Sequence, residues 1–168
     1  MIKGILYTSN TGLTKKYAGL LGEELKIPVY ELVEGKKHLK KGDEIIYLTW
    51  IAAGSLKKYN KANRRYKIKA TCAVGMMRPG SEQNQPIQEK HNIKEGYFYL
   101  LGGFNKDGIK GIYKIVINIM EKFLKPKLEE KENKTQDEND LLDMLSGKSD
   151  HVSKENLNDV IAYIKGIR

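Results

Sequence analysis

Residues 8–14 read Thr8-Ser9-Asn10-Thr11-Gly12-Leu13-Thr14, between an apolar run and an amphipathic one. A loop that runs into a helix offers unpaired backbone N–H groups and the positive end of the helix dipole, which together bind a phosphate without a lysine. Ser9, Thr11 and Thr14 can aim hydroxyls at phosphate oxygens, and Gly12 removes a side chain where the backbone must come close. The same residues also suit a plain hydroxyl-rich helix cap. A second segment, Thr49-Trp50-Ile51-Ala52-Ala53-Gly54-Ser55, holds the only tryptophan of the chain, a flat apolar plate suited to a planar ring or to a strand-end core position. Gly54 serves either a plain turn or a peptide that reorients beside a ligand. A third, Gly102-Gly103-Phe104-Asn105, can present backbone amides and a second aromatic ring.

For these segments to meet, the chain must bring three loops to one edge. Ile2 to Tyr7 reads as a strand, and Leu13, Tyr17, Leu20, Leu21 and Leu25 follow at helical spacing. Pro28 to Val33 and Glu44 to Thr49 read as strands, with room for a turn or short helix between them at Lys36 to Lys41. Leu56 to Tyr66 reads as a helix, Ile68 to Val74 as a strand, Gln83 to His91 as a looser helix, and Tyr97 to Leu101 as a fifth strand. Alternation of this kind predicts an α/β fold with an open, doubly wound, five-stranded parallel sheet and helices on both faces. The order 2-1-3-4-5 places ligands beyond the carboxyl ends of the strands at the switch point, where the three loops converge.

The run from Ile5 to Leu21 resembles the flavodoxin signature at the apolar pair Ile5-Leu6, the aromatic Tyr7, Ser9, Gly12, Thr14, Ala18 and Leu21. That resemblance implies a flavodoxin-like fold and FMN, bound non-covalently with its phosphate in the loop 8–14. It further implies that Trp50 stacks on the isoalloxazine, that the Gly54 peptide turns toward the flavin N5, and that Gly102, Gly103 and Phe104 border its pyrimidine edge. A dinucleotide site is excluded because no Gly-x-Gly-x-x-Gly follows a strand. The spacing of Gly103 and Gly108 fails as a P-loop, since Ile109 and Lys110 stand where Lys and Ser or Thr belong.

After the fifth strand, Ile109 to Leu124 reads as an apolar helix with Lys110, Lys114, Asn118, Glu121, Lys122 and Lys125 on its polar stripe, which Pro126 should disturb. Its apolar face suits either packing on the sheet or contact with a membrane surface. Residues 127–150 read as a charged excursion, and Leu157, Val160, Ile161 and Ile164 mark a closing helix in the same single domain. The long basic helix, the excursion and the late helix resemble the flavodoxin-like protoporphyrinogen dehydrogenases. The loop Trp-Ile-x-Ala-Gly and the strand end Cys-Ala-Val-Gly are similar to other flavodoxin-domain proteins. The first resemblance implies an oxidoreductase with a quinone acceptor, an anionic porphyrinogen substrate and peripheral membrane contact. A one-electron carrier serving a redox partner protein, and a non-redox binding module, remain as other readings.

The net charge is +9, yet Glu129 to Asp143 holds seven acids against two lysines and Ser146 to Arg168 adds only +1, so the chain from Met1 to Leu128 carries +13. Such a field favours anionic partners, although scattered lysines also serve solubility alone. No zinc-finger or RNA-recognition pattern accompanies it, which argues against nucleic acid. His38, His91 and His151 lack metal-ligand spacing, Cys72 is the single cysteine and reads as a core residue, and Arg78 reads as a surface cation that can also face an anionic ligand. With no signal-peptide pattern and no span of about 20 apolar residues, a cytoplasmic protein is expected.

Overall fold

The computed structural model describes residues 1–80, 86–94, 96–109, 111–146 and 149–167. The helix expected at Gln83 to His91 therefore lies outside the described residues at 83–85, as does Lys110. Strand β1 (Gly4–Thr8) enters the molecule with Ile5 and Leu6 both fully buried, one in each of the two cores that flank the sheet. A strand buried on both sides needs helices on both faces, and the chain supplies them in alternation. There follow α1 (Leu13–Leu25), β2 (Val29–Glu31), α2 (Gly35–His38), β3 (Glu44–Ala52), β4 (Ser55–Leu56), α3 (Tyr59–Asn63), β5 (Lys67–Gly75), α4 (Pro86–Lys90) and β6 (Tyr97–Leu101). Strands β2-β1-β3-β5-β6 pair in parallel in that order, the flavodoxin-like order expected from the sequence.

One core joins Ile5, Ile46, Leu48, Cys72 and Leu100 of the sheet to Tyr17, Leu21 and Leu25 of α1. The other places Leu6, Ile45, Tyr47 and Ala73 against Tyr59, Ala62 and Ile87. Close packing is exacting here: a Cβ on Gly22 of α1 would stand 2.2 Å from a Val29 methyl, so only glycine lets the helix lie this near β2.

Two differences from expectation shape the carboxyl edge of the sheet. Strand β3 does not stop at Thr49 but runs to Ala52, and the chain folds back as β4, pairing Ile51 with Leu56 and Ala52 with Ser55. Leu56 and Lys57 are thereby taken from the expected helix, which shrinks to Tyr59–Asn63. The second difference follows β6. There β7 (Gly103–Phe104) pairs antiparallel with β8 (Ser149–Asp150), making a neck from which a helical hairpin projects, α5 (Ile112–Glu130) and α6 (Gln136–Ser146). A closing helix, α7 (Asn158–Ile167), then takes the place on the sheet beside α1. The excursion thus opens at Gly103, well before residue 127.

Helix α5 carries Pro126 inside it and runs on to Glu130. Proline removes the hydrogen bond to the carbonyl four residues back, yet Leu128 beyond it is buried with Phe104, Ile109, Met144 and Leu145 in a third small core. Helix α6 opens on a capping box, in which Thr135 and Glu138 satisfy each other's backbone N–H groups. The Glu138 N–H donates to the Thr135 hydroxyl at 3.2 Å. In return the Thr135 N–H donates to the Glu138 carboxylate at 2.8 Å.

Both ends of the excursion are fastened to α1 through one phenol. Tyr17 donates its hydroxyl to the Leu101 carbonyl at 2.6 Å and accepts from the Asn156 amide at 2.6 Å, while that amide also donates to the His151 carbonyl at 2.8 Å. The His151 N–H closes the neck on the Gly102 carbonyl at 3.1 Å. Burial raises the Tyr17 pKa and keeps the phenol protonated, as a donor must be. Tyr17→Phe removes both of these hydrogen bonds from a part-buried cluster and should cost about 1 kcal/mol in urea unfolding. An unchanged midpoint would remove Tyr17 from its place as the fastening.

Candidate functional site

The loop after β1 is built around Gly12. It caps α1 at φ 93°, a left-handed conformation that disfavours any residue with a Cβ, and nothing lies within 4 Å of where that Cβ would stand. Among the described residues no side chain caps α1: Ser9 Oγ accepts the N–H of Gly12 itself, at 3.1 Å, and none of the first-turn amides of the helix. Those amides have no partner within the helix. The plain-cap reading therefore loses its capping bond, and the helix end stands open to an anion.

Beside this end opens a cleft of about 470 Å³, within the range of small-molecule and cofactor sites. Its walls hold Asn10, Thr11, Leu13 and Thr14 of the first loop, Trp50, Ile51, Ala52, Ala53 and Gly54 of the second, and Gly103 and Phe104 of the third. Three of the remaining candidates stand behind the wall. Thr8 is buried with its hydroxyl 2.8 Å from the Tyr47 phenol, Ser9 holds the Gly12 N–H, and Gly102 packs where a Cβ would lie 2.5 Å from a Val74 methyl. A second hollow of about 440 Å³ runs along the outside of α1 past Gly12, Lys15, Gly19 and Glu23 to Asp150, so Gly12 lines this hollow and not the cleft.

Trp50 is at once a strand residue, opposite Val74 of β5, and a wall of the cleft. Its ring meets Tyr113 of α5 edge-on with centroids 5.1 Å apart. The Lys57 ammonium donates to the Tyr113 hydroxyl at 2.6 Å and lies 5.7 Å from the Trp50 ring, so it ties the hairpin to α5 through a hydrogen bond and a cation–π contact. Phe104 is only 2 % exposed and anchors the third core, which leaves little of its ring to act as a second plate.

The far wall is made by residues that periodicity alone assigns to packing: Met76 and Met77 after β5, then Ile109, Val116, Ile117 and Met120 from the excursion. For Val116, Ile117 and Met120 the signal was the largely apolar character of residues 112–120, interrupted by Lys114 and Asn118, without an indication of which way it faces. Close approach brings this wall to the loop at residues 8–14, since a Cβ on Gly108 would stand 3.0 Å from Thr11 Cα. Arg78 is paired with Asp140 of α6 at 3.0 Å, and Lys16 of α1 with Asp150, whose carboxyl is held below its usual range by that lysine. Both pairs brace the excursion over the cleft. Cys72 is fully buried, which pushes its thiol up to about 12 and leaves it inert.

The β3–β4 turn is held in a demanding conformation, with Ala53 at φ 48° and Gly54 at φ 64°. Positive φ at both central residues matches the right-handed twist of a two-residue hairpin. The residues at the end of α4 fix it in place: Lys90 Nζ donates to the Gly54 carbonyl at 3.0 Å, and His91 Nε2 accepts the Leu56 N–H at 3.0 Å. That second bond requires a neutral imidazole, and burial first, then the Lys90 charge, lowers the His91 pKa from 6.5. A pKa lower in the folded than in the unfolded chain means that this contribution is whole above pH 6.5 and is lost as pH falls through the folded value. Thermal melts should therefore show a midpoint that drops below pH 6.5, and His91→Gln, which keeps an acceptor but does not titrate, should flatten that drop. An identical pH profile in the variant would disconnect His91 from the hairpin.

Among the described residues no cluster of His, Cys, Asp and Glu is placed to hold a metal ion. No protein-family model and no curated protein matches this chain, so its functional reading rests on the cleft itself.

Proposed function

We propose that this protein binds one FMN in the cleft and works as an oxidoreductase. The observation that carries this reading is the meeting of an uncapped helix N-terminus with an apolar slot walled by the chain's only tryptophan. The donor chemistry fits the group. First-turn amides of α1, with the hydroxyls of Thr11 and Thr14, would hold the phosphate; Trp50 would lie against the ring system; and the Ala53–Gly54 turn would border it. FMN supplies hydride and single-electron chemistry when bound, while the protein tunes and shelters it. Met76, Met77, Ile117 and Met120 exclude water, and the chemistry requires no catalytic acid or base from the chain.

The apolar wall favours a substrate or acceptor that enters the cleft. A quinone acceptor suits it, and an anionic substrate such as a porphyrinogen suits the positive charge carried between Met1 and Leu128. That same charge favours a second reading, a one-electron carrier docking on an acidic protein. Among the described residues no helix is long and apolar enough to cross a membrane. A cytoplasmic location, with peripheral contact where a lipid-dissolved quinone must be reached, completes the proposal.

The test is a visible spectrum of the protein loaded with FMN, followed by anaerobic reduction and addition of a quinone. Bound flavin that is reduced in one two-electron step and reoxidised by the quinone is the expected result, and Trp50→Ala should weaken FMN binding about tenfold. Reduction in two separate one-electron steps with no response to quinone would favour the carrier. A protein that stays colourless would end both readings.

A further inference from the structure

Helix α5 has more apolar surface than its packing uses. Tyr113, Ile117, Met120 and Leu128 turn toward the cleft and α6, where they are partly or fully buried. Around the same helix a second stripe faces solvent: Ile112 is 69 % exposed, Ile115 60 %, Val116 45 %, Ile119 52 % and Phe123 58 %. Offsets of three, four, seven and eleven residues from Ile112 place these on one line about 16 Å long. An apolar patch this continuous marks an interaction surface rather than scattered exposure.

The chemistry beside the stripe identifies its partner. Lys114 and Lys122 are exposed and Lys125 is half-buried on the adjoining face, and Glu121 is the only acid between Ile112 and Lys127. An apolar stripe bordered by lysines is the pattern of a helix that lies in the plane of a lipid interface. A second copy of the chain would bring two such lysine rows and two net positive charges together, which repel. A bilayer with anionic headgroups accepts the stripe and the lysines at once. We infer that this face of α5 docks on an anionic phospholipid surface.

Val116 belongs both to the stripe and to the cleft wall, so the cleft mouth would open at the bilayer. The docking stands without a cofactor. Its use, access of a lipid-dissolved acceptor to the cleft, rests on the flavin reading.

The experiment is flotation of the purified full-length protein with phosphatidylcholine vesicles, with and without phosphatidylglycerol. Wild type should float with the anionic vesicles at low salt and be released by added salt. The double variant Ile119→Glu/Phe123→Glu changes only exposed positions outside the cleft, so it should keep its circular dichroism and melting behaviour while losing at least about tenfold in vesicle binding. A second variant, Lys114→Gln/Lys122→Gln, should weaken binding only to anionic vesicles. Wild type that stays in solution at low salt, or a glutamate variant that floats as well as wild type, would overturn the inference. So would sedimentation showing a dimer that the glutamate variant abolishes in the absence of vesicle binding, which would assign the stripe to a second copy. Flotation by a protein that ignores FMN would uphold the docking and remove the flavin reading alone.

Discussion

A left-handed Gly12 turns the chain out of β1 and into α1, and no side chain among the described residues caps the first-turn amides of the helix. The sheet is built around this turn. Because β1 lies between β2 and β3, the direction of the chain reverses across it, and the loop after β1 meets the loop after β3 at the carboxyl edge. A side-chain cap on α1 would close that edge to an anion. Among the described residues none does so, which leaves a positively polarised backbone beside an apolar slot, the arrangement on which the proposed flavin site rests.

The same helix also governs what covers the slot. Tyr17, one turn into α1, receives the two ends of the excursion and holds its neck shut. Ion pairs of Arg78 with Asp140 and Lys16 with Asp150, and the Lys57–Tyr113 hydrogen bond, then fix the helical hairpin at its sides. Exposed ion pairs add little stability on their own, so their effect here is on placement. The outcome is a flavodoxin-like sheet whose ligand edge is walled by a hairpin with its own small core and an uncovered outer face.

Local patterning makes much of this legible in the sequence. The strand before Thr8, the stripe Leu13–Tyr17–Leu21–Leu25 and the alternation after it need only nearest-neighbour periodicity, and they lead to the observed strand order. The turn at Ala53–Gly54 does not announce itself, because alanine is an unusual residue for a left-handed position and the hairpin relies on Lys90 and His91, distant in sequence. Helix α6 is masked by its own acidity; Thr135 and Glu138 spell a capping box, but Leu141, Leu142, Met144 and Leu145 find their partner only across a turn, on α5. Pro126 argues for a helix end, and the burial of Leu128 beyond it overrides that argument. Periodicity can say that α5 is amphipathic; it cannot say that the sheet position belongs to α7.

The most direct test of the central claim compares the affinities of the apoprotein for FMN and for riboflavin, read from quenching of flavin fluorescence. Open amides at the head of α1 should make the phosphate decisive, so FMN should bind at least about a hundredfold more tightly, equivalent to about 2.8 kcal/mol. Equal affinities would place the phosphate elsewhere and contradict the role assigned to Gly12 and its loop, and failure to bind either flavin would contradict the account of the cleft as a whole.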